Sequence, residues 1–239
     1  METADQAIGA RPSGGRLTRR DALLRSSAAL FIAWWGMGVQ TASAQSAAEH
    51  YVVFDGPIND TNTSRLMSII GTLIPKGLKE LHLIVGTSGG NIPDALMAYG
   101  FLRALPAKVT IYNLSTVASA GTIIYLAGEK RIAAPSAFFQ FHQVSENFSK
   151  PRVGMTLDEF TGEKNALAMN LERMEQIYQE RTALLPQQIE EFQRHDVFFD
   201  AEAAQKAGIV HDIAALAIPA GAAITVVNTV NTAPNQTPQ

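Results

Sequence analysis

Two short runs of small residues contain groups that suit nucleophilic chemistry. Gly89 and Gly90 follow an apolar stretch, and their lack of a Cβ lets a ligand approach the main chain closely. Ser119 lies in the second run, 115–121, at a predicted junction between a strand and a helix. A serine there presents its hydroxyl at the positive end of a helix, which favours developing negative charge. A tight turn without a ligand and an N-cap serine fit the same two runs, so both interpretations stay open.

A serine nucleophile needs a base, and His142 is the histidine with the best position. It directly follows 137–141, whose sequence Ala-Phe-Phe-Gln-Phe predicts a short aromatic strand. Catalytic groups of α/β proteins gather where strands end. The other histidines fall near the predicted mature N-terminus, inside a strand, or in helical and turn sequence near the C-terminus: His50, His82, His195 and His211. Since a lone histidine is commonly structural, position is what distinguishes His142.

The elements that hold these residues alternate between strand and helix. Alternation of this kind favours parallel strands joined by βαβ crossovers, and therefore an α/β fold. At the carboxyl ends of parallel strands, the N–H groups of helix starts are free, and a pair of them can hold an oxyanion. The strands are predicted at 51–56, 80–85, 109–114 and 137–141, and the helices at 63–73, from Pro93, from Thr122 and at 157–183.

Composition narrows the classes of function. The chain has 239 residues, with 19 basic and 22 acidic side chains and a net charge of −3. A strong basic excess is absent, so a nucleic-acid surface has little support. Cysteine is absent too, which excludes disulfides, thiolate metal sites and a cysteine nucleophile. The sequence contains no HExxH motif, P-loop or dinucleotide fingerprint, so neither a metal nor an organic cofactor is predicted.

Residues 1–44 have the pattern of an export signal. The pair Arg19-Arg20 precedes an apolar stretch at 28–39, and a small-residue A-x-A pattern ends at Ala44. Paired arginines before a moderately apolar stretch resemble a twin-arginine signal, which predicts a periplasmic protein that is cleaved after Ala44. The alternative is a retained membrane anchor, although the apolar stretch is shorter than the roughly 20 residues that span a bilayer.

Taken in order, the motifs resemble the proteolytic subunit of the Clp protease, a serine peptidase. The family's Ser-Pro-Gly-Gly corresponds to 87–90, its Ala-Ser-Met-Gly to 118–121, and its Pro-Asn-Ser-Arg-x-x-x-His-Gln-Pro to 135–144. The resemblance covers 51–213. It implies a ClpP/crotonase-like fold of repeated ββα units with a long handle helix, so a ClpP-like peptidase domain is predicted at 45–213.

The resemblance also implies a role for each site residue. It makes Ser119 the nucleophile and His142 the general base. It assigns the oxyanion hole to the amides of Gly89 and Ala120. The reaction it implies is the hydrolysis of peptides or unfolded polypeptides, with no metal and no cofactor. Because members of the family form rings, a homo-oligomeric ring is expected, in which the handle helix joins two rings.

The position of the third member of the catalytic triad departs from the family pattern. The family has an aspartate there, whereas counting along this chain places Phe192 at that position. Phenylalanine cannot orient an imidazole or stabilise an imidazolium. Glu190, Glu191 and Asp196 are candidate substitutes, and a Ser–His dyad is another solution. A weakened or inactive peptidase that binds peptides is the corresponding alternative function.

Two more functions are compatible with the same fold. A crotonase-type acyl-CoA enzyme would use the same pair of amides without a serine nucleophile. The export signal argues against it, because CoA chemistry is cytoplasmic. A membrane-tethered peptidase would need residues 28–39 to be retained.

Both ends of the predicted domain also depart from the family. Only Gln45 to His50 precede the first strand, where the family has a longer segment that meets an ATPase partner. We therefore expect a peptidase that works without an unfoldase. A C-terminal extension at 214–239 follows the domain; its residues 224–227 predict an added strand, and residues 229–239 predict a disordered tail.

Overall fold

Residues 48–144, 154 and 156–230 are described by the structure, a computed structural model. Their strands form one eight-stranded sheet in the order β6-β5-β3-β2-β1-β8, in which β4 also pairs with β3 and β7 with β4. The strands are β1 (Glu49–Asp55), β2 (Glu80–Thr87), β3 (Lys108–Ala118), β4 (Lys130–Ala133), β5 (Phe138–Phe141), β6 (Val197–Asp200), β7 (Asp212–Ile213) and β8 (Ile224–Val226). The described pairs are parallel apart from β5 with β6, so the predicted α/β fold is confirmed.

The helices begin where the sequence supplies caps. Each of the first two helices is capped by an asparagine, Asn59 or Asn91, whose side chain accepts the N–H of the residue three positions later. The long helix begins with a capping box formed by Thr156 and Glu159. The predicted helix at 157–183 is thereby confirmed, two residues shorter at its C-terminal end. The helices are α1 (Asp60–Leu73), α2 (Ile92–Arg103), α3 (Gly121–Leu126), α4 (Leu157–Arg181), α5 (Pro186–Glu191) and α6 (Ala201–Lys206), with a 3-10 turn at Ile74–Lys76.

The long strand β3 changes partners along its length, and this change positions the site. Its first half pairs with β4 at 110–113, and its last residues pair with β5 at 116–118. The buried Asn113 lies at the change, where its side-chain amide donates to the carbonyl of Phe138 (2.9 Å) and its Oδ1 accepts the N–H of Ser115 (3.0 Å). These bonds replace the ladder that is interrupted there. The second half of β3 therefore ends beside β5, which brings Ser119 close to His142.

Helix α3 is apolar on all sides because it lies inside the core. Every residue from Gly121 to Gly128 is buried, because α3 packs against the sheet and against α2 and α4. A helix with an apolar surface all round is typical of a buried position. By contrast, α4 buries only its C-terminal part, at Met174, Ile177 and Tyr178.

The apolar stripe predicted along α4 is confirmed in part. Met174 and Tyr178 are buried, but Leu167 and Leu171 are only half-buried. The N-terminal half of α4 is largely exposed, whereas its C-terminal half packs on the core. Within the described part of the chain, no helix combines the length and hydropathy that a membrane span requires.

The C-terminal extension is part of the sheet. Strand β8 pairs in parallel with β1, with Tyr51 opposite Ile224, as the sequence of 224–227 predicted. The chain then contacts α1, where the N–H of Val230 donates to Asn62 Oδ1 (2.9 Å). The hydroxyl of Thr229 donates to the carbonyl of Asp55. The predicted disordered tail is therefore wrong for Thr229 and Val230; the export signal and residues 231–239 lie outside the described residues.

Candidate active site

Ser119 lies on a sharp turn between a strand and a helix. Strand β3 ends at Ala118 and α3 begins at Gly121, and Ser119 has φ 53°, the one positive φ of a non-glycine residue in the described part of the chain. The left-handed conformation costs such a residue about 1–2 kcal/mol. A strained serine on a strand-to-helix turn is typical of an exposed nucleophile.

Hydrogen bonds on both sides hold this conformation in place. The N–H of Ser119 donates to the carbonyl of Gln140 (2.8 Å). The carbonyl of Ser119 accepts both the N–H (3.0 Å) and the hydroxyl (2.7 Å) of Thr122. The N-cap of α3 is Ala120 and not Ser119, so the N-cap interpretation of Ser119 does not fit the structure.

The two runs of small residues meet directly. A Cβ on Gly89, which has φ 104°, would lie 2.5 Å from the Cβ of Ser119. A Cβ on Gly90, which has φ 145°, would lie 2.1 Å from the carbonyl oxygen of Ile58. Only glycine allows either approach, because real Cβ contacts are longer and positive φ is strained for other residues. The Gly-Gly run thus has a close-approach role beyond that of a turn.

The amides of the glycine run have different partners. The N–H of Gly89 donates to Thr87 Oγ1 (3.0 Å), so the predicted oxyanion donor is already engaged. The carbonyl of Gly89 accepts the N–H of Ile58 (2.9 Å), and a trans peptide directs the N–H of the next residue opposite to this carbonyl. The N–H of Gly90 therefore faces away from Ile58. Among the described residues, neither this N–H nor that of Ala120 has an acceptor.

His142 follows the last residue of β5, as predicted, and is half-buried. Its Nδ1 lies 2.7 Å from the carbonyl oxygen of Gln143. Because a carbonyl only accepts, Nδ1 carries the proton in this contact, and Nε2 is left as the basic nitrogen. His142 and Ser119 line one pocket, although no hydrogen bond joins their side chains among the described contacts. Such bonds are often long before a substrate binds.

The shared pocket has mainly apolar walls. It is small and open to solvent, and Ser119, Ala120 and His142 are among its lining residues. Tyr178 is satisfied within the wall, since its hydroxyl lies 2.8 Å from that of Thr122. Burial raises the pKa of Tyr178 well above its usual value, so it stays neutral. The remaining wall residues are Ile92, Phe141, Val144, Met174 and Phe192.

Phe192 is part of this wall, and its described ring contacts are with other aromatic side chains. It immediately follows α5, is 3% exposed, and stacks on Phe141 with ring centroids 4.5 Å apart. Its ring also meets those of Tyr178 and Phe199 edge-on. The position that the family resemblance assigns to an aspartate is therefore filled by an aromatic cluster.

The three candidate substitutes for that aspartate lie elsewhere. Glu190 forms an ion pair with Arg194 (2.6 Å), and Asp196 Oδ2 accepts from Gln140 Nε2 (3.1 Å). Glu191 is exposed. In the part of the chain that the structure describes, none of them forms a hydrogen bond or ion pair with His142, whose Nδ1 partner is a main-chain carbonyl. Residue types could not reveal this partner, because every residue has a carbonyl.

Comparisons with known proteins identify related chains. The family model described as Clp protease matches residues 37–216. The ATP-dependent Clp protease proteolytic subunit of Lobularia maritima is 31% identical over 165 residues, which cover 67% of this chain and 82% of that protein. The subunit from Cucumis sativus is 29% identical over 160 residues, covering 66% and 80%.

A bacterial relative and a solved structure extend the comparison. The ATP-dependent Clp protease proteolytic subunit 2 of Pseudomonas aeruginosa is 27% identical over 135 residues, covering 56% of this chain and 65% of that protein. A structure of a ClpP1 mutant from Listeria monocytogenes has a TM-score of 0.60 at 22% identity, covering 69% of this chain and 90% of that chain. This last likeness shows a common fold.

Proposed function

The chain belongs to the Clp protease family, and we propose on that basis that it is a serine endopeptidase acting on peptides or unfolded polypeptides. The observation that carries the proposal is the strained conformation of Ser119 beside two free amides, in a pocket that also contains His142. Nucleophile, base and oxyanion donors are the groups that acyl transfer requires.

The proposed reaction has two halves. Ser119 Oγ attacks the peptide carbonyl, while His142 Nε2 takes the serine proton and then gives it to the leaving amine. Water next attacks the acyl ester; His142 takes a proton from it and returns one to Ser119. The amides of Gly90 and Ala120 stabilise the oxyanion in both halves. We assign this role to Gly90, and not to Gly89, because the Gly89 N–H is held by Thr87.

The base works without a carboxylate in this proposal. The Gln143 carbonyl selects the tautomer of His142 that accepts a proton at Nε2. A carbonyl dipole stabilises an imidazolium less than a full negative charge does. We therefore expect acylation by an activated reagent to be easier than the turnover of an amide, for which the imidazolium must form fully.

The pocket supports a preference for apolar side chains next to the scissile bond. Its walls from α2, β5, α4 and Phe192 offer carbon surface, and the hydroxyl of Tyr178 is already paired. A charged side chain would lose its hydration there without gaining a partner.

Three further parts of the proposal come from the sequence and the surface. The twin-arginine pattern supports export to the periplasm, and a site that acts there would work without an ATPase partner. Exposed apolar residues on α4, namely Leu157, Phe160 and Met169, support a homo-oligomeric ring.

One alternative has a specific observation in its favour. Phe192 in place of an acid, together with the lack of a hydrogen bond between the side chains of Ser119 and His142 among the described contacts, favours a peptide-binding protein with weak or no catalysis. This alternative keeps the apolar pocket and drops the chemical step. The reactivity of Ser119 separates the two functions.

The test is labelling of the purified mature protein with a fluorophosphonate. We expect labelling that disappears in Ser119→Ala and slows strongly in His142→Ala, with folding of each variant checked by circular dichroism. A folded wild-type protein that stays unlabelled from neutral to mildly alkaline pH would exclude the peptidase and favour the binding protein.

A further inference from the structure

Thr87 contacts both loops that surround the nucleophile. It is the last residue of β2 and is 5% exposed, opposite Val117 in the register of β2 and β3. That register shifts between Val85 and Thr87, so the end of β2 departs from the regular ladder there. A side chain at such a shift is re-aimed relative to the rest of its strand.

The hydroxyl of Thr87 holds the glycine loop. Its Oγ1 accepts the N–H of Gly89 at 3.0 Å in a buried environment. On the other side of the loop, the carbonyl of Gly89 accepts from Ile58. The peptide units before and after Gly89 are therefore each fixed by one bond, and together they set the direction of the Gly90 N–H.

The methyl group of Thr87 holds the serine turn. A Cβ on Gly121 would lie 2.3 Å from Thr87 Cγ2, so the methyl group occupies the space that Gly121 leaves open. Gly121 is the first residue of α3 and directly follows Ala120, whose N–H is the second free amide. One side chain thus contacts the supports of both amides.

We propose that Thr87 is a positioning residue that sets the spacing between the Gly90 and Ala120 amides of the oxyanion hole. This inference rests on the proposed peptidase function and adds a residue to it. Oxyanion donors act only when they lie at hydrogen-bond distance from the developing charge, so a small displacement of one loop is costly. Thr87 acts through main-chain groups and does not touch the substrate.

The decisive variant is Thr87→Val, which keeps the shape and the methyl group but cannot accept from Gly89. We expect the rate of fluorophosphonate labelling to fall about tenfold. With a fluorogenic peptide, we expect kcat to fall by a similar factor at unchanged KM, because the amides bind the transition state more tightly than the substrate. Thr87→Ser keeps the hydroxyl and should restore most of the rate.

Thr63→Val is the matched control. Thr63 is 2% exposed, and its hydroxyl has no hydrogen-bond partner among the described residues. The same isosteric change at Thr63 should leave labelling unchanged and should not lower the melting temperature. A loss of rate that appears only at position 87 then cannot come from the Thr-to-Val change as such.

The outcomes separate this inference from the function on which it rests. If the wild type shows no Ser119-dependent labelling, the peptidase function fails. If the wild type is labelled and Thr87→Val is labelled equally fast or faster, the positioning role is overturned; faster labelling would mean that the freed Gly89 N–H is itself an oxyanion donor. If Thr87→Val does not fold, Thr87→Ser and Thr87→Ala isolate the hydroxyl, and equal rates in these two variants overturn the inference.

Discussion

The candidate active site has two sides that are built differently. The serine side consists of residues 87–90 and 118–122, where hydrogen bonds hold the N–H and carbonyl groups of both Gly89 and Ser119 and glycine permits the close contact between them. The histidine side consists of His142, Phe141, Tyr178, Phe192 and Phe199, where ring contacts dominate. Its one described polar contact to His142 is the carbonyl of the next residue.

The difference separates two demands of the chemistry. Directional hydrogen bonds hold oxyanion donors where charge develops, whereas aromatic packing fills space and does not compensate a charge. In the proposed mechanism, the site is therefore better arranged to stabilise a tetrahedral intermediate than to stabilise a protonated base. Substitutions that perturb one side at a time can test this difference.

The largest effect is expected from Gly89→Ala on the serine side. The new Cβ would meet the Cβ of Ser119 at 2.5 Å, at a φ of 104° that strains alanine. Ser119 or the glycine loop must move, so we expect fluorophosphonate labelling to fall roughly 10²–10³-fold. The measurement is the second-order labelling rate of the folded variant.

Gly77→Ala is the matched control for backbone strain. Gly77 has a similar φ of 91°, but a Cβ there would meet nothing within 4 Å. This variant should lose about 1 kcal/mol of unfolding free energy and keep its labelling rate. Equal labelling of the Gly89 and Gly77 variants would contradict the assigned contact between the glycine run and the nucleophile.

Phe192→Asp tests whether the histidine side still accepts a carboxylate. The side chain would enter a cluster of three rings at a position that is 3% exposed, without a described cation beside it. We expect a loss of roughly 3 kcal/mol of unfolding free energy, measured by urea denaturation, and labelling that falls about tenfold.

Phe192→Leu keeps an apolar side chain at the same place and should label within about threefold of the wild type. If Phe192→Asp were labelled faster than both the wild type and the leucine variant, with a changed pH profile, the histidine side would still be arranged for a triad. The contrast between the two sides would then arise from the phenylalanine at position 192 alone.

The sequence predicted where the site residues lie in the fold better than it predicted their hydrogen-bond partners. Strand-helix alternation predicted the α/β fold, and position at strand ends predicted that Ser119 and His142 lie near one another. It predicted the amide of Gly89 as an oxyanion donor, whereas we propose that of Gly90, because adjacent glycines differ only in the groups that their amides and carbonyls contact. The sequence could not predict that the Gln143 carbonyl contacts His142, because every residue has a main-chain carbonyl.

The C-terminal extension shows a second limit. Residues 224–227 carry a strand pattern, but Thr229 and Val230 have the composition of a tail. They are ordered because β8 pairs with the edge strand β1 and thereby delivers the following residues to Asn62 and Asp55. Tertiary contacts of this kind override local composition.

The smallest effect is expected from Tyr178→Phe, which removes a link between the two sides. The Tyr178 hydroxyl meets Thr122 Oγ1 at 2.8 Å, and the Thr122 hydroxyl in turn donates to the carbonyl of Ser119. Losing one buried hydrogen bond of this kind should cost about 1 kcal/mol of unfolding free energy and change labelling less than threefold.

Tyr125→Phe supplies the comparison that gives this small effect meaning. The Tyr125 side chain is also fully buried, but its hydroxyl has no hydrogen-bond partner among the described residues. Removing that hydroxyl should leave stability unchanged or slightly raised, as measured by urea denaturation. If the two variants lose equal stability, the bond between Tyr178 and Thr122 does not connect the sides. A selective loss in Tyr178→Phe would mean that the aromatic side is linked to the turn of Ser119 through the hydroxyl of Thr122, which contacts both Tyr178 and the carbonyl of Ser119.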